Sequence, residues 1–258
     1  VTLLLNVTAL WKQAGVRPMS REARAGPRPA FRDAWRDYMG GGDAGRLLLV
    51  VFLGTMAFNM QDVLLEPYGG EVLGLSVSAT TLLTALWAGG ALAGFALAAK
   101  RLAQGTDPHR LAATGLVIGL AAFSAVIFSA PLMAPVLFYV GATLIGMGGG
   151  LFAVATLTAA MTMPKGTAGQ GLALGAWGAA QATAAGLSIF IGGTLRDVVN
   201  HAAAGSEALA APAIGYSVVY HTEIALIFFT LIALGPLVRT RALTPREPVK
   251  LGLADFPT

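Results

Sequence analysis

Polar side chains inside long apolar segments are the groups in this sequence that could do chemistry, because each costs free energy within a bilayer. Thr55, Asn59, Asp62 and Glu66 fall within about 60° of one another at 100° per residue, so they share one face of a predicted helix that stops at Pro67. Such a face could hold a polar or metal-bearing ligand. The alternative is a helix end that becomes polar as it reaches water.

A second polar face lies on the last long apolar segment. Tyr216, Tyr220 and Glu223 follow one another at spacings of four and three residues, which places them on one side of a helix. Glu223 is nine residues from Ile214, about 13 Å along a helix and therefore near the bilayer centre. A carboxyl group there should be protonated, paired or facing a cavity. A purely structural partner on a neighbouring helix is the alternative.

His221 is the one histidine that falls inside a predicted span, and it points away from the Glu223 face. A neutral imidazole could ligate the magnesium of a chlorophyll-type pigment, or it could form a hydrogen bond to a neighbouring helix.

The sequence contains no enzyme signature that we recognise. It lacks a phosphate-binding loop, the metal-binding helix of zinc proteases and a recognisable Ser-His-Asp catalytic triad. The absence of cysteine excludes disulfides, thiolate metal sites and cysteine nucleophiles. We therefore expect no enzymatic activity and no catalytic residues.

The elements that carry these residues are long and apolar. Hydrophobic residues make up 55% of the 258 residues and charged ones 12%, about half the share usual in soluble proteins. Six segments reach the roughly 20 residues that cross a hydrocarbon core, which predicts an all-α integral membrane protein. The predicted segments are Arg46–Glu66, Val77–Ala99, Leu111–Ala130, Val136–Met163, Gly171–Gly193 and Ile214–Val238.

Charge predicts the orientation of these six helices. If the segments alternate in direction, 16 of the 17 lysines and arginines lie on one side and Arg196 alone lies on the other. The basic side is predicted to be cytoplasmic. Residues 1–11 then form the end of a preceding membrane helix, 12–45 a basic cytoplasmic loop, 46–238 the six-helix domain and 239–258 a cytoplasmic tail. The basic loop suits anionic lipid or a cytoplasmic partner, and we expect no binding to nucleic acid.

Small residues recur at helical spacing. Gly90 and Gly94, Gly146 and Gly150, and Gly171 and Gly175 each form a Gly-x-x-x-Gly pair. Such pairs permit close helix approach and indicate packing rather than a substrate site.

The run MQDVLLEPYGGEVLGLSVSATT at residues 60–81 resembles the PucC/LhaA family, the bacteriochlorophyll delivery branch of the major facilitator superfamily. Residues 146–150 and the loop at residues 164–171 resemble it too. The resemblance covers about Arg46 to Arg239 and corresponds to the C-terminal half of such a protein. Because Val1 falls inside an apolar run, we expect the natural protein to have a further N-terminal portion.

The resemblance implies a twelve-helix protein of the intracytoplasmic photosynthetic (inner) membrane of purple bacteria. It implies a role in assembling light-harvesting antenna complexes, with transient binding of bacteriochlorophyll as cofactor or cargo. The implied partners are the antenna α and β polypeptides, the light-harvesting or reaction-centre complex, and pigment-synthesis enzymes. One departure is informative: residues 94–110 lack the Asp-Arg pair usual after the second helix of superfamily transporters, which favours binding or assembly over transport.

Three functions therefore remain open from the sequence. The first is an antenna assembly factor that binds or delivers bacteriochlorophyll. The second is a proton-coupled small-molecule secondary transporter, and the third a structural subunit of an antenna or reaction-centre complex. For pigment binding, we expect a macrocycle between helices beside the small residues 171–193. Its magnesium would be ligated by His221, Asp62 or Glu66, and its carbonyls bonded by Asn59, Gln61 or Tyr220, with Glu223 a further candidate.

Overall fold

The structure is a computed structural model that describes residues 30–40, 42–163, 169–204 and 213–242. Its regular elements are all helical within these ranges. A short helix comes first, six helices are long and apolar enough to cross a membrane, and a break follows the first of these six. In chain order the elements are α1 (Phe31–Gly40), α2 (Asp43–Asn59), a 3₁₀ helix (Met60–Val63), α3 (Leu65–Glu71), α4 (Val77–Ala103), α5 (Pro108–Ser129), α6 (Pro135–Met161), α7 (Gly169–Ala203) and α8 (Ala213–Ala242).

Local sequence signals fix where several helices begin. Ser76 caps α4, and its hydroxyl accepts a hydrogen bond from the Ala79 N–H. Asp107 caps α5 and accepts hydrogen bonds from the N–H groups of His109 and Arg110, at 2.8 and 3.1 Å. Side-chain oxygens at this position satisfy N–H groups that the first helical turn leaves free. Proline occupies the first position of both α5 and α6, where its missing N–H costs nothing.

The first span is broken, which corrects the expectation of one continuous helix to Glu66. Helix α2 ends at Asn59, the 3₁₀ helix carries Gln61 and Asp62, and α3 restarts at Leu65. Pro67 explains the break, because a proline has no N–H to donate and its ring clashes with the carbonyl four residues earlier. Restarting the helix at Leu65 places Pro67 in a first turn, where it is tolerated.

Helix α6 lies at the centre of one group of helices, packed against both α4 and α5. Gly90 of α4 faces Thr143, and Gly146 of α6 faces Trp87, so closely that a methyl group on either glycine would overlap a backbone carbonyl. Gly94 meets Met147 and Gly150 meets Ala91 in the same way. The two Gly-x-x-x-Gly pairs thus form one crossing, as small residues do between membrane helices.

The third Gly-x-x-x-Gly pair does not pack within the described bundle. A methyl group on Gly171 or Gly175 would meet nothing within 4 Å. These glycines lie on the exposed side of α7, a helix that is mostly exposed along its length. The close approach that this pair permits is therefore not used by any contact among the described residues.

Helices α2, α7 and α8 form the second group. Helix α8 packs against α2, α5 and α7, and α7 also contacts α2 and the 3₁₀ helix. Helix α7 continues to Ala203, ten residues beyond the predicted end of its span. Arg196 therefore lies on a helix and not in a loop. The expected helix end at 1–11, most of the loop at 12–45 and the tail beyond residue 242 lie outside the described residues.

Candidate functional site

Three buried polar side chains meet inside the bundle, and we call Gln61, Tyr220 and Glu223 the inner polar cluster. Their exposed fractions are 1%, 0% and 0%. The Gln61 carbonyl oxygen, the Tyr220 hydroxyl and both Glu223 carboxylate oxygens have no hydrogen-bond partner among the described residues. The Gln61 backbone approaches the Glu223 carboxyl group without forming a hydrogen bond of good geometry, and the Tyr220 side chain interacts with Glu223 electrostatically. Buried polar groups without a hydrogen-bond partner are rare in proteins, and such groups often have a functional role.

Two elements bring this cluster together. The spacing of Tyr220 and Glu223 places both on the buried face of α8, which packs on α2 and contacts the 3₁₀ helix. The 3₁₀ helix turns Gln61 into the interior. The Gln61 amide nitrogen donates to the Phe58 carbonyl at 3.3 Å and to Asp62 Oδ1 at 2.6 Å. Because both donors are used, the Gln61 carbonyl oxygen is the group left free.

Aromatic rings surround the cluster on the side toward α3. The Tyr68 ring lies 5.4 Å, centroid to centroid, from each of Tyr216, Tyr220 and Phe138. Phe123 lies 6.4 Å from the Tyr220 ring. Each such pair contributes about 0.5–1.5 kcal/mol beyond its buried area. These rings hold the side chain of Tyr220, which interacts electrostatically with Glu223.

A second group of polar side chains lies at the end of the bundle beside these aromatic rings, and we call Glu71, Arg196 and Tyr216 the end network. Arg196 Nη2 donates to Glu71 Oε2 and to the Tyr216 hydroxyl, both at 2.8 Å. The Tyr216 hydroxyl donates to the same Glu71 oxygen at 2.7 Å, and the guanidinium carbon lies 4.7 Å from the Tyr216 ring centroid. These contacts join α3, α7 and α8 at one point.

The end network shifts the charge equilibrium of Glu71, which lies outside the spans. The hydrogen bond from Tyr216, together with the hydrogen bond and charge of the Arg196 guanidinium, outweighs the effect of burial and holds the pKa of the Glu71 carboxyl below its ordinary value. Both contacts favour the ionised carboxylate. Glu71 and Arg196 were not among the site residues predicted from the sequence. The available signal was the isolation of Arg196, the one basic residue on its side of the predicted topology.

The polar face predicted along Thr55, Asn59, Asp62 and Glu66 is not formed, because the helix breaks between Asn59 and Leu65. The Asn59 amide donates to the Thr55 carbonyl at 2.7 Å. Asp62 is exposed and bonds to Gln61, and Glu66 accepts a hydrogen bond from Thr84 of α4. The amides of Asn59 and Gln61, expected to bond to pigment carbonyls, are therefore engaged within the protein.

His221 lies apart from both groups, on the exposed side of α8. Its Nδ1 lies 2.7 Å from the Ser217 carbonyl oxygen. The structure thus brings Gln61, Tyr220 and Glu223 together and places Asp62 beside them through its hydrogen bond to Gln61. It leaves Asn59, Glu66 and His221 apart from this cluster.

The inner polar cluster can exchange a proton or bond to a small polar group, because Glu223, Tyr220 and Gln61 all offer oxygens. It is too enclosed to hold a macrocycle as the helices stand, since its members are almost completely buried. No group of three or more histidine, aspartate or glutamate side chains that could hold a metal ion occurs in the described part of the chain.

Comparison with known proteins gives one family and several relatives. The family model described as "PUCC protein" matches residues 1–242. An uncharacterized protein in the puhA-bchM intergenic region of Rhodobacter capsulatus is 56% identical, with 100% of this chain and 55% of that protein covered. Protein PucC of Rhodovulum sulfidophilum is 51% identical over 77% of this chain and 44% of its own length.

A more distant relative carries a different name. The bacteriochlorophyll synthase 44.5 kDa chain of Rhodobacter capsulatus is 30% identical over 66% of this chain and 41% of its own length. The chain spans about half the length of the curated relatives it matches. No solved structure matches it, so the likeness to one half of a major-facilitator-type fold stays a prediction.

Proposed function

This chain belongs to the PUCC protein family, and from that membership we propose that it serves the assembly of a light-harvesting antenna complex in a photosynthetic membrane. In this role it binds bacteriochlorophyll transiently, or delivers it to the antenna α and β polypeptides. The observation that carries the proposal is the set of relatives, because one is named as a bacteriochlorophyll synthase chain and shares 30% of aligned residues with this chain.

The exposed surface of the six spans is compatible with this role. Large apolar side chains face outward on several helices, among them Leu92 and Phe95 of α4, Phe190 of α7, and Phe228 and Phe229 of α8. A pigment dissolved in the membrane, or an antenna polypeptide with a single membrane helix, would contact such a surface through packing. We propose that the antenna or reaction-centre complex and pigment-synthesis enzymes are the partners. We propose a binding role, with no chemical step on the pigment.

The test is purification in mild detergent from photosynthetic membranes, followed by absorption spectroscopy and mass spectrometry of what co-elutes. Bacteriochlorophyll and antenna polypeptides at variable, low ratios would support the assembly role. A fixed ratio to mature complexes would instead indicate a structural subunit. A colourless protein without antenna polypeptides would contradict the proposal.

Glu223 favours a second candidate function, a proton-coupled transporter of small molecules. A carboxyl group that is fully buried and has no hydrogen-bond partner among the described residues is typical of a proton-carrying site in membrane transporters. This function predicts uptake or efflux in vesicles that depends on a proton gradient and is lost in Glu223→Gln. Unchanged pigment and antenna binding in the same variant would separate the two functions.

A further inference from the structure

The outer face of α8 carries His221, whose ring nitrogen Nε2 forms no hydrogen bond within the described bundle. His221 is exposed, whereas its neighbours Tyr220 and Glu223 are completely buried. The imidazole therefore faces away from the inner polar cluster and toward whatever surrounds the bundle.

A backbone contact decides which ring nitrogen of His221 carries the proton. Nδ1 lies 2.7 Å from the Ser217 carbonyl oxygen and 3.3 Å from the Ser217 hydroxyl. A carbonyl oxygen can only accept, so Nδ1 donates its proton to it. In the neutral imidazole, Nε2 then carries a free lone pair, the arrangement that orients metal-ligating histidines.

The depth of His221 makes this lone pair costly when it is left alone. The span Ala213–Val238 has 26 residues, about 39 Å at the helical rise, and His221 lies about 12 Å from its start and about 8 Å from its midpoint. That position is within the hydrocarbon core. An acceptor without a partner there costs on the order of 1–3 kcal/mol, so a partner from outside this bundle is expected.

The surface around His221 suits a flat apolar ring. Side chains on a helix lean toward its N-terminus, so the imidazole covers the turn that contains Ser217 and Val218. Ser217 is small, and Val218 is 37% exposed. Ala225, one turn further on, is also small and exposed, and Phe228 beyond it is 53% exposed.

The ligand chemistry favours a metal that is already held by a macrocycle. A free metal ion needs several protein ligands, and in the described part of the chain His221 belongs to no group of three or more histidine, aspartate or glutamate side chains that could hold one. A magnesium ion held by four ring nitrogens needs only one axial ligand. A single histidine in an apolar setting is sufficient for that purpose.

We propose that His221 Nε2 is the axial ligand for the magnesium of a chlorophyll-type pigment that lies against Ser217 and Val218 on the outer face of α8. The inference rests on the proposed pigment-binding function and adds the position and the ligand. It also separates the pigment from Glu223, which faces the opposite side of the same helix.

The test compares His221→Phe with His201→Phe in the full chain purified from photosynthetic membranes. His201 is an exposed histidine in the last turn of α7 and is the matched control. Three quantities are measured: the pigment-to-protein ratio, the magnesium coordination state by resonance Raman spectroscopy, and the antenna polypeptides that co-elute. We expect the ratio to fall about tenfold in His221→Phe and to stay unchanged in His201→Phe. Added imidazole should restore pigment to His221→Gly.

The outcomes distinguish this inference from the proposed function. If His221→Phe retains pigment with unchanged coordination, the ligand assignment is wrong and the assembly function stands. If the unaltered protein carries neither pigment nor antenna polypeptides, both fail.

Two substitutions to leucine provide a second, independent test of where the pigment ring lies. Ser217→Leu keeps the carbonyl that fixes the imidazole but covers the proposed ring position, so pigment should fall several-fold. Ala121→Leu, on the exposed face of α5, should change nothing. Equal pigment in both variants would overturn the proposed ring position.

Discussion

At the scale of single residues, the Glu223 carboxyl group is completely buried, and neither of its oxygens has a hydrogen-bond partner among the described residues. A buried carboxyl in that condition opposes folding by its full desolvation cost. The spacing of Tyr216, Tyr220 and Glu223 was enough to predict the buried face of α8. The absence of partners could not be predicted, because it depends on where a 3₁₀ helix more than 150 residues earlier in the chain places Gln61.

Glu223→Met should stabilise the protein, because methionine fills a similar volume and has no group that needs a partner. We expect the free energy of unfolding to rise by about 1–3 kcal/mol, measured by thermal or denaturant unfolding in detergent, with Glu223→Gln as the polar comparison. A loss of stability in Glu223→Met would show that the carboxyl has a partner in the membrane.

Glu71 should make stability depend on pH. Its folded-state pKa is lowered, so its stabilising contribution is complete above the ordinary pKa of 4.5 and is lost as pH falls through the folded value. The melting temperature should therefore fall as the pH is lowered from about 5. This fall should be smaller in Glu71→Gln. Because the Glu71 side chain is 49% exposed, the effect should be modest. Tyr216→Phe should move the midpoint upward, and identical pH profiles for all three proteins would contradict this origin.

At the scale of elements, hydrophobic length predicted the six spans well and their ends less well. Helix α7 extends to Ala203 because residues 194–203 contain no proline or glycine that would end the helix. A prediction from the length of the apolar run stops at Gly193, because the residues that follow are more polar. The break after Asn59 had a sequence signal in Pro67, but its consequence is spatial. A continuous helix would have turned Asp62 and Glu66 to one face, whereas the break buries Gln61 and exposes Asp62.

The crossing of α4 and α6 gives a prediction with a matched control one residue away. Gly90→Ala would push a methyl group into the Thr143 carbonyl, whereas Gly89→Ala would meet nothing within 4 Å. We expect Gly90→Ala to lower the free energy of unfolding by about 1–3 kcal/mol and Gly89→Ala to raise it by about 0.5–1 kcal/mol. Unfolding of both variants in detergent measures the difference, and equal stabilities would exclude the close crossing.

At the scale of the whole molecule, the sequence predicts that charge divides the two membrane surfaces. Six spans return the chain to the side on which it started, so residue 42 and the end of the last span lie on the same side. Charge patterning predicts this side to be cytoplasmic. The sequence could not predict which helices touch, because α4 is at least as apolar as α6 yet leaves much of its surface exposed.

The cysteine-free sequence makes the orientation directly testable. Gln104→Cys lies between α4 and α5, and Met133→Cys lies between α5 and α6, where Met133 is 87% exposed. A membrane-impermeant thiol reagent should label Met133→Cys in right-side-out vesicles and Gln104→Cys only in inside-out ones. The reverse pattern would place the basic surface outside the cytoplasm, and labelling of both from one side would contradict the six-span topology.

The end network has a consequence for the order in which the protein is made. Glu71 is synthesised 125 residues before Arg196 and 145 residues before Tyr216. At about 5–20 residues per second, roughly 7–30 s separate the first and last members on the ribosome. Throughout that interval the first span and its break exist in the membrane without the contacts that join α3 to α7 and α8. The network can close only after α7 and the start of α8 have been added to the chain, so its formation requires that α3, α7 and α8 have come together.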